Sequence, residues 1–428
     1  MHRQLTKNLQ KRKRITRHTL VVGVDIGSRS NAVALMQHDG AILKTAARVK
    51  TSRKGFTFFR TLLLDTLRSH GLKEVLIGLE PTGHYWRKLA FFALAQGWEV
   101  RFVRTTALKH QRELDESAPG KSDRRDACTI ANLVREGKYL DSVIEEGVFR
   151  QLRALAKTRE RLQKAATAAQ NVLGALMDDY FPELRGVFSS LKVKGLWAVL
   201  EHCPFPADVR ATAPAELEAC IAQASKGCCD AQAKAVAIRA AAQESIGLPA
   251  VSRADRLRVQ IALEELRRLV AHQKAVETEM KRLLRPLPEA KWLRSIPGMG
   301  LISVAVFLGE LGNPRHFAQW REVVKFIGLD PVERASGLFV GRKRISKKGR
   351  YLLRKFLYFM TLRVIQYSTY FKAVYARRLA TPNRRGQALT KKEAICAVSL
   401  KLIKVMMALL KQQRVFHDTV PARLAQAA

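Results

Sequence analysis

The stretch "TLVVGVDIGS", residues 19–28, decides how the first third of the chain is built. It is a short apolar run rich in valine that ends in an aspartate and a glycine. A run of this kind reads as a buried β-strand with an acid at its end. Downstream, "NAVALMQHDGAILKTAARV" (31–49) carries two further strand-like pieces around Asp39-Gly40, a hairpin signal. A helical segment near 55–70 follows, then a third apolar strand, "EVLIGLE" (74–80), which ends at Glu80. The helix "HYWRKLAFFALAQG" (84–97) is closed by Gly97, the strand "EVRFVR" (99–104) comes next, and a helix starts near Ser122. A hairpin meander followed by alternating strands and helices predicts a mixed α/β sheet.

Beyond about residue 146 the pattern turns helical. "FRQLRALAKTRERLQKAATAAQNVLGALMDDYF" (149–181) repeats Leu152, Leu155, Leu162, Leu173 and Leu176 at helical spacing. A second long segment alternates three- and four-residue steps through Leu266, Leu269, Gln273, Val276, Met280 and Leu283. This is a coiled-coil seam with one polar position, satisfied either between chains or within one. Residues 185–250 are alanine-rich and helical in character, broken at Pro204 and Pro206, and carry no evident chemistry. The last domain opens at "WLRSIPGMGLISVAVFLGELG" (292–312). There Gly298 and Gly300 sit between two apolar helical stretches, as in a helix-hairpin-helix turn whose amides hold phosphate. An ordinary glycine-containing connection has the same appearance. Thr390 and Glu393 form a capping box for the final helix. The expected organisation is a basic disordered arm (1–18), an α/β domain (19–145), a helical region with an insertion near 185–250 (146–288) and a C-terminal domain (289–428).

Charge narrows the function. The chain of 428 residues has 76 Lys+Arg against 37 Asp+Glu, a formal net charge of +39. A compact protein carrying such self-repulsion points to a polyanionic partner, and the charge runs along the whole chain rather than on one amphipathic helix. That favours nucleic acid over a membrane surface. "AICAVSLKLIKVMMALL" (394–410) is interrupted by Lys401 and Lys404 and reads as a packed helix, not a membrane span. The six cysteines, Cys128, Cys203, Cys220, Cys228, Cys229 and Cys396, have no zinc-like spacing and suit a reducing, cytoplasmic setting.

Four acids stand out against this basic background. Asp25 and Glu80 end apolar strands, while Asp123 and Asp126, in "KSDRRDA" (121–127), occupy the first turn of a helix that Ser122 would cap. Spaced i, i+3, the helical pair shares one face, with Cβ atoms about 5–6 Å apart. Four clustered carboxylates repel unless cations neutralise them, and hard oxygen ligands suit Mg²⁺ or Mn²⁺. Each acid also has a plainer reading. Asp25 would suit a phosphate loop of the actin-like type, Glu80 a loop salt bridge, and the helical pair the helix dipole.

"VVGVDIGS" (21–28), "LIGLEPTGHYW" (76–86) and "KSDRRDACTIANLVREG" (121–137) resemble the DEDD catalytic domain of transposases in insertion-sequence family 110. These are relatives of the Piv invertase, with a ribonuclease-H-like fold similar to RuvC resolvases. The resemblance resumes at "SIPGMGLISVAVFLGELGNPRHF" (295–317) and continues through "FIGLDPVERASGLFVGRKRISKKGRYLLRKFLY" (326–358). It implies a RuvC-like N-terminal domain, a coiled-coil region and a helical C-terminal transposase domain. It also implies that Asp25, Glu80, Asp123 and Asp126 bind Mg²⁺, with Mn²⁺ as an alternative, and that Ser336 is the nucleophile that links covalently to DNA. Read chemically, Ser336 lies in a Ser-Gly turn with no neighbouring base. The resemblance further implies donor and target DNA as substrates and a structured bridge RNA that supplies sequence choice. It implies a homo-oligomer, dimer or tetramer, in which the acids of one subunit meet the serine of another across the coiled-coil helices. Arg342, Lys343, Arg344, Lys347, Lys348 and Arg350 follow the serine and suit backbone phosphates, giving affinity rather than sequence choice. Two other readings stay open: a RuvC-like nuclease in which Ser336 is structural, and a non-catalytic nucleic-acid scaffold.

Overall fold

The computed structural model describes residues 8–81, 83–115, 123–140, 144–249, 252–332, 335–336, 339–340, 344–382 and 388–420. The chain divides into two compact units, residues 1–144 and 145–428.

In the first unit, residues 8–12 form a short helix, α1. Strands β1 (Thr19–Asp25), β2 (Ser30–Met36) and β3 (Ile42–Lys50) make an antiparallel meander. The Asp39-Gly40 turn joins β2 to β3: Gly40 takes φ +106° and Asp39 accepts a hydrogen bond from the Ala41 amide. Helix α2 (Arg53–Ser69) is capped by Ser52, and leads to β4 (Glu74–Leu79), α3 (Trp86–Ala95), β5 (Glu99–Phe102), α4 (Thr105–Asp115) and α5 (Asp123–Arg135). The sheet order is β3-β2-β1-β4-β5, with β4 parallel to both β1 and β5.

Central strand β1 is buried on both sides, which explains why its sequence is a continuous apolar run instead of an alternation. Leu20, Val22 and Val24 join Ile77 and Leu79 in a core with Phe59 and Leu63 of α2 and Leu89 and Ala93 of α3. Val21 and Leu76 pack on the opposite side with Leu108 of α4 and Ile130, Ala131 and Val134 of α5.

Residues 8–18 correct the expectation of a disordered arm. Ile15 is buried, the Lys11 ammonium donates to the Tyr139 carbonyl at 2.7 Å and lies 4.7 Å from the Tyr139 ring centre. The partner is 128 residues away, so local composition gave no sign of it. Residues 1–7 lie outside the described residues.

The second unit is built on two long helices, α6 (Gly147–Tyr180) and α12 (Arg253–Leu284). They run antiparallel, as the Arg159–Glu277 ion pair (2.7 Å) and the Gln163–Gln273 hydrogen bond (3.1 Å) show. Between them the chain forms α7 (Leu184–Val187), α8 (Lys194–His202), α9 (Pro206–Ala211), α10 (Pro214–Ser225) and α11 (Ala231–Gln243). These pack against the C-terminal half of α6 and the N-terminal half of α12 through Phe181, Leu196, Phe205, Ile221 and Ile238.

Of the apolar positions of the expected seam, Leu266, Leu269, Met280 and Leu283 are buried and Val276 is partly buried. Gln273 spends its amide on Gln163 and Glu277 of the same chain. The seam positions therefore pair within one chain, one of the two arrangements that the spacing left open.

After α12 come α13 (Pro288–Arg294), α14 (Leu301–Leu311) and α15 (Trp320–Ile327). Helix α14 is buried all round from Val304 to Leu311, as its uninterrupted apolar sequence requires. Four two-residue strands follow: β6 (Pro331–Val332), β7 (Ala335–Ser336), β8 (Phe339–Val340) and β9 (Arg344–Ile345). Helices α16 (Tyr351–Tyr367), α17 (Thr369–Ala380) and α18 (Lys391–Gln412) complete the unit around α14. The Thr390–Glu393 capping box opens α18 as expected. Among the described residues no helix is long and apolar enough to cross a membrane.

Candidate active site

Backbone register brings two of the four acids together. Val24 of β1 is paired with Leu79 of β4, so Asp25 and Glu80 are the next residues on adjacent parallel strands. Neighbouring strands lie about 4.7–4.9 Å apart. Side chains alternate along a strand, so Val21, Gly23 and Asp25 share one face, and Leu76, Gly78 and Glu80 share the same face of β4. It is the face that α5 covers.

Gly23 and Gly78 allow that helix to come close. A Cβ on Gly23 would stand 2.0 Å from the Ala127 carbonyl oxygen and 2.9 Å from the Ala131 Cβ. A Cβ on Gly78 would stand 2.5 Å from a Val134 methyl. The direction of α5 follows from its far end, where Arg135 lies beside Gly40 in the β2–β3 turn, at the edge where β1 begins. Its first turn is therefore at the opposite edge, where β1 and β4 finish. Asp25, Glu80, Asp123 and Asp126 thus belong to one edge of one face of the sheet. The carboxyl ends of parallel strands are where such sheets place their ligands.

The surroundings of these acids differ. Glu80 is 8% exposed, Asp126 is 2% exposed, and Asp25 is half-buried. Asp123 begins α5, and its side chain lies outside the described residues, as does the expected cap Ser122. Asp126 forms an ion pair with Arg112 of α4 at 2.5 Å. Among the described residues no three His, Cys, Asp or Glu side chains are close enough to share one metal ion. The donor set still fits a hard divalent cation, being made only of carboxylates on a rigid edge. The β1–β2 loop is also held, because buried Asn31 accepts a hydrogen bond from the Gly27 amide (3.3 Å).

Ser336 lies in the other unit, on β7, where it pairs with Phe339 of β8 in an antiparallel hairpin. The outer pair, β6–β9, matches Pro331 with Ile345 and Val332 with Arg344. The inner register is offset by one residue from the outer. Its base is firmly tied. Ser346 donates to the Asp330 carboxylate (2.5 Å), and the Ser346 amide donates to the Asp330 carbonyl (2.9 Å). Arg354 donates to the Ile327 carbonyl (2.8 Å). Gly328, at φ +78°, lets the Lys347–Lys348 backbone pass closely.

The basic residues after the serine have separate fates. Arg344, Lys347 and Lys348 are exposed. Arg342 and Lys343 lie outside the described residues. Arg350 is engaged in packing: its guanidinium lies 5.1 Å from the Phe326 ring centre and 3.8 Å from Glu310. The two glycines of the earlier turn also separate. A Cβ on Gly298 would meet the Arg363 carbonyl at 2.7 Å, so close packing explains this glycine. Gly300 opens α14 with open space beside it. Arg112, Asp330 and Ser346 had no sequence signal, since each acts through a partner that only the fold brings near.

Two family comparisons match the chain. A transposase model of the DEDD IS110 type covers residues 22–182, and a second, described as the transposase IS116/IS110/IS902 family, covers residues 290–376. A 44.8 kDa protein of insertion element IS116 from Streptomyces clavuligerus is 25% identical over 410 residues, covering 95% of this chain and 98% of that relative. The transposase for insertion sequence element IS1111A of Coxiella burnetii is 24% identical over 417 residues, covering 95% of this chain and 94% of the relative. Both matched segments contain the residues described above, the acidic edge in the first and the serine ribbon in the second. The chain belongs to the IS110 family of DEDD transposases, DNA-processing enzymes of insertion sequences.

Proposed function

We propose that the protein is an RNA-guided transposase that cuts and rejoins DNA through Ser336, assisted by Mg²⁺ held on the acidic edge. The observation that carries this reading is the Val24–Leu79 register, which sets Asp25 beside Glu80 on the face covered by α5. Asp25, Glu80, Asp123 and Asp126 would hold the ion, with Mn²⁺ as an alternative. Bound there, it would polarise the scissile phosphate and stabilise charge on its oxygens. The Ser336 hydroxyl oxygen attacks phosphorus, the bond from phosphorus to the departing sugar oxygen breaks, and the hydroxyl proton leaves with solvent. The serine–phosphate ester keeps the energy of the broken linkage. Attack by another strand's hydroxyl on that ester then rejoins the DNA and frees the serine. Exposed Arg344, Lys347 and Lys348 supply salt-dependent grip on the phosphate backbone near the serine. Arg342 and Lys343 belong to the same basic segment.

The acids and the serine are carried by different units of the chain. We take the working enzyme to be a homo-oligomer, dimer or tetramer, with the acids of one subunit acting on DNA attacked by the serine of another. The charge of +39 suits a protein that grips RNA and DNA together while base pairing reads sequence. The decisive experiment mixes Asp25→Ala subunits with Ser336→Ala subunits. Each variant alone should give no strand exchange, and the mixture should recover it. A covalent protein–DNA adduct that survives Ser336→Ala would overturn the serine assignment. Sequencing the copurifying RNA tests the guide: one discrete structured species complementary to the element ends is expected, and bulk cellular RNA would count against it.

A further inference from the structure

Asp126 of the acidic edge has an ion-pair partner on α4. Its carboxylate is 3% exposed at the side chain and touches the Arg112 guanidinium at 2.5 Å, while Arg112 is 32% exposed. A buried carboxylate needs compensation, and the N-terminus of α5 supplies only part of it. Arg112 is also incompletely satisfied: its Nε is buried and makes no hydrogen bond among the described residues. It stands on α4, a different element from the acid that it neutralises.

We infer that Arg112 is the resident counter-cation of the acidic edge, competing with a divalent ion for the Asp126 carboxylate. This rests on the proposed metal site. With the guanidinium in place, Asp126 is compensated without metal and the edge survives the mutual repulsion of its acids. When a divalent ion takes the carboxylate, Arg112 must give up its pair. Its residual attraction for Asp126 then weakens metal binding. Arg112 is thus a positioning residue that sets how much metal the site requires.

The test is Mn²⁺ binding to the full chain without DNA, followed by calorimetry. Arg112→Gln should bind Mn²⁺ about 5- to 20-fold more tightly than the wild type, because a charged competitor has gone. Its melting temperature without metal should fall, and Mn²⁺ should raise it by more than in the wild type. Arg112→Lys, which keeps the charge but loses the fork, should lie between the two and serves if the glutamine variant does not fold. Unchanged or weaker Mn²⁺ binding in either variant would overturn the inference, because a purely structural arginine has no reason to oppose metal. Asp25→Asn separates the two levels of the argument. If wild-type Mn²⁺ binding does not depend on Asp25, the metal reading of the edge itself fails. If it does, and Arg112→Gln binds no tighter, only the role of Arg112 fails.

Discussion

The acidic edge and the serine ribbon are built on opposite plans. Asp25 and Glu80 extend from central strands buried on both faces, and a helix lies so close that a β-carbon at Gly23 would collide with backbone. Ser336 stands on a strand of two residues in a hairpin whose tie to the fold is at its base. On the proposed function the contrast has a use, because metal ligands must be fixed to a few tenths of an ångström and an attacking hydroxyl must be brought to its phosphate.

The harshest way to break the first plan is Gly23→Val. Its Cβ would sit 2.0 Å from the Ala127 carbonyl, so α5 must lift from the sheet. We expect a loss of more than about 4 kcal/mol, the range of severe overpacking, and proteolysis of the N-terminal unit at room temperature. If the variant melts like the wild type, the close approach is not what fixes the edge. The matching change at the ribbon base, Ser346→Ala, removes one hydrogen bond to Asp330. It should lower stability by about 1–2 kcal/mol while strand exchange falls further, by about tenfold, because the serine loses its aim. Equal losses in both measurements would mean that the ribbon is no more than packing.

Two buried glutamates sharpen the contrast within the second unit. Burial opposes the Glu160 carboxylate, but hydrogen bonds from Lys355 and Tyr351 outweigh it and hold its pKa below the usual value of 4.5. Its stabilising contribution is therefore present above pH 4.5 and lost as pH falls through the lower folded value. Glu160→Gln should cost about 1–3 kcal/mol at pH 7 and flatten the acid limb of a melting-temperature profile. Glu310 behaves in the opposite sense, since burial raises its pKa above 4.5 against the pull of Arg153 and Lys157. Its favourable contribution is complete below pH 4.5 and declines as pH rises through the folded value. Glu310→Gln should then change stability at pH 7 by less than about 1 kcal/mol, the smallest effect predicted here. A large loss would show that its contacts with Arg153 and Arg350, 3.9 and 3.8 Å away, act as strong ion pairs.

How legible each part was in the sequence follows from how local its physics is. The apolar run of 19–28 announced a central strand, and Asp39-Gly40 announced its hairpin, because backbone pattern and turn chemistry act over a few residues. The common edge of the four acids needed the register of β1 on β4, which no spacing encodes. Ser336 was visible only through family resemblance, since its neighbours in the sequence offer no base. The fold-back of residues 8–18 depends on Tyr139, and the closure of the helical seam depends on a partner helix about a hundred residues away. Apolar spacing says that a face will be covered. It does not say by whom.

The antiparallel pair α6 and α12 has a consequence of a different kind. At 1.5 Å per residue, 34 residues of α6 span about 50 Å. The helices α7–α11 are grouped at one end of this pair, and the cluster around α14 at the other. The neck is fastened where the chain leaves and returns, with Tyr180 donating to Asp255 and the Leu248 amide to the Asp179 carbonyl. Such a module is built as a cassette: a change in its length falls at the far end of the pair from the cluster around α14. Length changes in the stalk itself are not free in this way. A turn added to α6 must be answered by a turn in α12, so insertions there should survive only as matched pairs.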